Sequence, residues 1–207
     1  MTINLKDFYS GVHRSAIYGN TSVSKWPFVA AIIKTIGAKR ILDYGCGQSR
    51  LFEILNRKLR VSTQRYDPSV EGIDSKPQAS FDLLINIDVL EHIPEEQLDA
   101  VFDEFRKLSN RHFIIIDTKP ARLFLPDGRN AHLTLYGKDW WAKRLGLAFP
   151  IVKAVDVKTR SRVAFITFEM KFGQKLIFQI LLIAFRIWRL FEKLRHNLRT
   201  PNYGNPD

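Results

Sequence analysis

The stretch from Ile41 to Leu55, "ILDYGCGQSRLFEIL", decides the fold. Residues 40–44 form a short apolar run that enters a glycine turn, the pattern of a buried strand. Residues 50–59, "RLFEILNRKL", read as the helix that follows. A glycine turn between strand and helix lets backbone approach a ligand and aims free N–H groups at it. The ligand is not set by the turn alone. A dinucleotide fingerprint needs G-x-G-x-x-G, and the run here is Gly45-Cys46-Gly47-Gln48-Ser49-Arg50, without the third glycine. No G-K-[ST] follows, so it is not a P-loop for nucleoside triphosphates either.

Working outward, the same alternation repeats. Residues 24–37, "SKWPFVAAIIKTIG", carry apolar side chains at helical spacing and stop on Gly37. Residues 61–68 form a second strand ended by Pro68, and 71–80 is polar and loop-like with at most a vestigial strand. Residues 81–89, "FDLLINIDV", and 111–119, "RHFIIIDTK", are two further buried strands. Between them 95–109 is an amphipathic helix with Leu98, Val101, Phe102, Phe105 and Leu108 on one face. Residues 138–146 form a short helix. Two β-rich runs, 151–159 and 161–170, are separated by one residue, which favours a tight hairpin or a closely linked pair. Strands alternating with helices predict a mostly parallel α/β sheet with helices on both faces and an antiparallel addition at one edge. Ligands of such a sheet bind at the carboxyl ends of the strands. Asp43, Asp67, Asp88 and Asp117 all fall at or near those ends.

These carboxylates select the ligand. Asp43, just before the turn, would repel phosphate and favour a cation. S-adenosylmethionine (SAM) carries an ammonium and a sulfonium and no phosphate. Asp67 lies twenty residues after Gly47, at the end of the second strand, where a carboxylate accepts both ribose hydroxyls of an adenosine.

On these residues the chain resembles the class I SAM-dependent methyltransferases. "ILDYGCGQSRL", "RYDPSV" and "FDLLINIDVLEHIPEEQLDAVFDEFRKLS" carry the resemblance, which runs from about residue 10 to 170. "YGN" at 18–20, "LPDGRNAHL" at 125–133 and "WW" at 140–141 are similar to a group of small bacterial methyltransferases associated with surface-polysaccharide gene clusters. The family's first motif is matched at Asp43, Gly45 and Gly47 and departs at Ser49. The resemblance implies a Rossmann-like, seven-stranded sheet with a reversed last strand. It also implies that Asp67 binds the ribose and that backbone around Ile87 and Asp88 approaches the methionine end of SAM. Tyr18 and Pro68 complete the expected cofactor set.

Methyl transfer is an in-line displacement, so the protein must orient the nucleophile; a hydroxyl nucleophile also needs a base. Of five histidines, His196 lies in the tail and His112 starts a strand. His92 is expected to be structural or cofactor-facing, and His13 belongs to an N-terminal segment that closes over the cofactor. His132, in the polar loop after Asp117, is the candidate base, with Arg129 and Asn130 beside it to hold an anionic or sugar acceptor. Asp88 and Asp117 as metal ligands lack a third clustered carboxylate, so no metal is expected. One of Trp140 and Trp141 is expected in the core.

The whole chain sets outer bounds. Its 207 residues suit one domain, here 1–170 with its N-terminal lid. With 45% hydrophobic and 26% charged residues the composition is that of a soluble globular protein. The single Cys46 makes no internal disulfide, and no Cys/His spacing suggests zinc. The start has no apolar h-region of a secretory signal, so a cytoplasmic site is expected. Net charge is +11, which calls for an anionic partner. Seven basic residues in 171–199, Lys171 to Arg199, face one acid, Glu192, a net +6. That segment reads as a basic amphipathic helix. It suits peripheral contact with an anionic membrane at the inner face, with a homodimer or packing on its own domain as rivals. Residues 200–207 are expected to be disordered. The acceptor expected is a hydroxyl of a sugar or glycolipid-type intermediate. The alternatives are a nucleic-acid or small-molecule methyltransferase, or an inactive SAM-binding partner subunit. The charge concentrated in the tail and the lack of an Asn/Asp-Pro-Pro-Tyr/Phe motif speak against nucleic acid.

Overall fold

The structure, a computed structural model, describes residues 4–15, 20–157, 159 and 161–199. Tyr18 and the tail 200–207 lie outside the described residues, so those two expectations are not addressed.

The chain opens with α1 (Leu5–Ser15), α2 (Asn20–Ser24) and α3 (Trp26–Ile36). It continues through β1 (Arg40–Tyr44), α4 (Leu51–Leu59), β2 (Ser62–Tyr66) and β3 (Leu83–Ile87). Then come α5 (Leu98–Leu108), β4 (His112–Asp117), α6 (Lys138–Ala148), β5 (Lys153–Val155), β6 (Arg162–Ile166) and α7 (Phe172–Arg199). The sheet has six strands in the order β2-β1-β3-β4-β6-β5. The first four are parallel, and β6 runs antiparallel to both β4 and β5.

Side-chain alternation builds two cores. Ile41, Leu83, Ile85, Phe113, Ile115 and Ala164 pack toward α3, α4 and α7. Leu42, Leu84, Ile114, Ile116 and Phe165 pack toward α5 and α6. With helices on both faces, the parallel strands are buried throughout, which is why they read as unbroken apolar runs.

One sequence expectation is corrected. The seventh strand does not form among the described residues. Residues 71–80, with Gly72, Pro77 and few apolar side chains, remain irregular chain and turns, because their polar sequence has no run of apolar side chains to bury and proline cannot donate to a ladder. Of the two forms expected for the closing strands, the closely linked pair is the one found. β5 and β6 are joined by six residues, because the chain first reaches back to β4, where Thr118 N–H donates to Ser161 O at 2.7 Å. That detour sets Arg162 opposite Asp117.

α7 lies on the domain itself. Phe178 and Leu182 are buried in the first core, and Phe185 and Trp188 meet Trp26 edge-on, each at 5.2 Å between ring centroids. Lys58 Nζ sits 4.1 Å from the Trp188 ring. Its opposite side is uncovered: Phe172, Leu176, Ile180, Ile183, Ile187 and Leu190 are exposed. No helix among the described residues is long and apolar enough to cross a membrane.

Candidate active site

Sheet order reverses beside β1, with β2 on one side and β3 on the other, the point where open α/β sheets open a crevice. A cavity of about 840 Å³ lies there. The turn after β1 forms its floor. Gly45 has φ 74°, and a Cβ on it would stand 2.6 Å from Val89 Cγ2. Gly47 has φ 52°, and its Cβ would meet His13 at 3.0 Å. Both positions therefore require glycine for conformation and for space. Where a third glycine was missed, Ser49 is buried; its Oγ pairs with Ser22 Oγ and accepts Leu51 N–H at 3.1 Å. The serine thus ties α2 to the first turn of α4, and its hydroxyl is used internally.

Asp67 holds the turn in shape. Its Oδ2 accepts Gly47 N–H at 2.7 Å and its Oδ1 accepts Ser69 N–H at 2.8 Å. Each oxygen retains lone-pair capacity, and Asp67 and Pro68 line the cavity. Asp43 is buried, and its Oδ2 has no hydrogen-bond partner among the described residues. Burial pushes its pKa up to about 7, against the lowering pull of Arg65, with Asp67 adding to the rise. A buried carboxyl kept near neutrality and short of a partner suits a ligand cation at the turn. Burial also pushes the Cys46 thiol up to about 12, so it is no nucleophile.

α1 forms the roof. Tyr9, Val12 and His13 line the cavity, Ser10 Oγ donates to Ser69 O at 2.9 Å, and Gln48 donates to His13 O at 2.9 Å. α1 is thus bonded to the glycine turn after β1 and to the turn after β2.

The far wall comes from the ends of β3 and β4. Ile87 and Asp88 line the cavity. Asp88 has φ 55°, a conformation that a non-glycine residue holds only under constraint. Its carboxylate accepts Arg162 Nε at 2.8 Å, while Arg162 Nη2 lies 3.0 Å from Asp117 Oδ2. One guanidinium thus bridges the two aspartates. Glu91 follows on a short 3-10 turn. It is fully buried; Oε1 accepts Asp117 N–H at 2.8 Å, and Oε2 has no partner among the described residues. Burial, with Asp88 nearby, raises its pKa well above the ordinary carboxyl range.

His92 and His132 stand beside it with ring centroids 4.6 Å apart. His92 Nδ1 is 2.9 Å from Ala131 O and 2.8 Å from Tyr9 Oη. Burial, then the neighbouring His132, lowers the His92 pKa to about 4. His132 Nδ1 bonds Lys119 O, and its backbone N–H donates to Asn130 Oδ1 at 2.9 Å. So His132 reaches the cavity as expected. Arg129 and Asn130 are not among the lining residues. Arg129 pairs with Asp127 at 2.7 Å, and the Asn130 amide is used twice on Ala121, at 2.9 Å each, bracing the loop that carries His132. The cations that do line the acceptor side are Lys119, Arg122 and Arg162. Trp141 is buried, whereas Trp140 stacks on Tyr136 at 4.0 Å, and His112 is a core residue bonded to Thr167 Oγ1 at 2.6 Å.

Glu91 and Arg162 were missed in the sequence. For Glu91 a signal existed, a lone acid inside the apolar run "VLEHI". For Arg162 there was none, since only the antiparallel register brings it to Asp117.

A reversed strand order, a glycine turn without phosphate chemistry and a carboxylate at the end of the second strand define a nucleoside-binding α/β domain of the class I methyltransferase type. The family model described as a methyltransferase domain (Methyltransf_23) matches residues 26–149, and the chain belongs to that family. No curated protein sequence matches significantly. Among solved structures, the DhpI complex with SAM and HEP is similar at a TM-score of 0.56 and 12% identity, covering 80% of this chain and 94% of that one. The 1,6-didemethyltoxoflavin-N1-methyltransferase of Burkholderia thailandensis is similar at 0.54 and 16%, covering 83% and 93%. The methyltransferase domain of bacterial CtHen1 is similar at 0.53 and 15%, covering 70% and 99%. At these identities the likeness is one of fold.

Proposed function

We propose that this SAM-dependent methyltransferase acts on a hydroxyl of a sugar or glycolipid-type acceptor, with the Glu91, His92 and His132 cluster activating that hydroxyl. The methyl donor is SAM. The observation that carries the acceptor reading is one continuous cavity. It joins Asp67, at the adenosine end, to a basin of ionisable groups beyond Asp88. In the transfer the acceptor O–H bond breaks with its proton passing to His132, a C–O bond forms to the methyl group, and the C–S bond breaks with its electron pair left on sulfur. Lys119 and Arg122 on the acceptor side suit a substrate that carries phosphate or carboxylate.

A lipid-linked acceptor also fits α7, which has an exposed apolar side and belongs to a segment of net charge +6. We assign that surface to peripheral contact with an anionic bilayer. A second copy would bring two helices of net +6 together, which opposes pairing. Labelled SAM offered with sugar nucleotides, lipid-linked glycans and nucleic acid tests the acceptor. Label in the glycan or glycolipid fraction is expected, and label confined to nucleic acid would overturn the reading.

A further inference from the structure

The geometry points to a divalent-cation site formed by Glu91, His92 and His132 at the acceptor end of the cavity. One ligand atom from each residue lies within 4.8 Å of the other two. Donors sharing a tetrahedral ion at about 2.1 Å stand roughly 3.4 Å apart, so modest side-chain rotation closes the shell.

Three observations go beyond proximity. Glu91 is fully buried and its Oε2 has no partner among the described residues. A buried carboxyl oxygen without a hydrogen-bond partner is costly, and a bound cation would relieve it. Each imidazole is already anchored through Nδ1 to a backbone carbonyl, His92 to Ala131 O and His132 to Lys119 O. An Nδ1–H spent on a carbonyl leaves Nε2 as the lone pair, the arrangement that holds histidine ligands in orientation. Finally, Glu91 is deep while both histidines are half-buried, so the open coordination positions face the cavity. Two imidazoles and one carboxylate favour a borderline ion such as Mn²⁺, Co²⁺ or Zn²⁺ over Ca²⁺.

Such an ion deepens the methyltransferase reading, on which it rests. An ion held by Glu91, His92 and His132 would supply a Lewis acid that eases ionisation of an acceptor hydroxyl, whose proton would pass to water before the oxygen takes the methyl group. His132 is then a ligand and not a free base.

The test uses the full chain stripped with chelator and titrated calorimetrically with Mn²⁺ and Zn²⁺, and with Co²⁺ followed by visible absorption. One ion per chain is expected. His132→Ala and the near-isosteric Glu91→Gln should each weaken it at least about tenfold while S-adenosylhomocysteine affinity stays within about twofold. If the stripped protein binds S-adenosylhomocysteine but none of the three ions, or both variants bind ions as well as the parent, the site is overturned and the methyltransferase reading stands. Failure of the parent chain to bind S-adenosylhomocysteine would instead overturn that reading.

Discussion

Asp43 is a carboxyl that folding holds protonated. Its pKa is pushed up to about 7 from an ordinary value of 3.8. Below 3.8 it is neutral in both folded and unfolded chains and affects nothing. As pH rises toward 7 the unfolded chain ionises it freely while the buried site resists, so the ligand-free protein loses stability across that window. A ligand ammonium at the turn reverses the preference and takes the ionised form. Affinity for S-adenosylhomocysteine should therefore rise with pH up to about 7 and then level off, with proton release on binding. Calorimetry between pH 5.5 and 8 in two buffers of different ionisation enthalpy measures both. Affinity that stays flat in the parent protein would show that the ligand amine does not sense Asp43. Asp67 gives a second expectation at this scale. Asp67→Ala removes acceptors for ribose and for the Gly47 and Ser69 amides, so binding should weaken by about 1–3 kcal/mol. Asp67→Asn, which keeps one carbonyl acceptor, should fall between. Equal affinity in folded variants would move the ribose contact elsewhere. Asp67 was legible because its spacing from Gly47 is fixed by one strand-helix-strand unit. The actual partners of Asn130 were not, since they lie within a loop that has no period.

At the scale of elements, legibility followed burial. β3 and β4 are covered on both faces, so their apolar runs announced them. β5 is a three-residue edge strand with two exposed side chains, and its partner β6 is set against β4 with Arg162 reaching two aspartates. No local pattern encodes that. α7 was read correctly as a helix but its docking side was ambiguous, because a helix apolar over most of its circumference has no single face. The structure resolves it through Trp26, which Phe185 and Trp188 enclose. Trp26→Ala should cost about 3–5 kcal/mol in denaturant unfolding. Truncation after Gly173 should also destabilise, since it uncovers the α3 side chains that Phe178 and Leu182 cover. A truncated chain as stable as the parent would mean that α7 does not dock as described.

For the whole molecule, the outstanding asymmetry is that α7 completes the core on one side and leaves a greasy ridge on the other. Phe172 is 87% exposed and Leu190 63%, and they mark the ends of a stripe whose spacing keeps it along one line of the helix. The segment also carries over half of the net charge of +11. An apolar ridge on a cationic segment is retained at an anionic interface by two additive terms: burial of the ridge, and about 1 kcal/mol for each Lys or Arg near the surface. The full chain should therefore sediment with vesicles containing phosphatidylglycerol and much less with phosphatidylcholine alone. Raising salt should release it, because exposed charges are screened beyond roughly 8–10 Å at moderate ionic strength. Ile183→Glu with Ile187→Glu places two carboxylates on the exposed ridge, away from the docked side, so folding and S-adenosylhomocysteine binding should persist while vesicle binding is lost. The dimer alternative forecasts something else. The same double variant would halve the mass seen by light scattering, and the parent would ignore phosphatidylglycerol at low salt. That pair of results would reassign the ridge to a second copy of the chain.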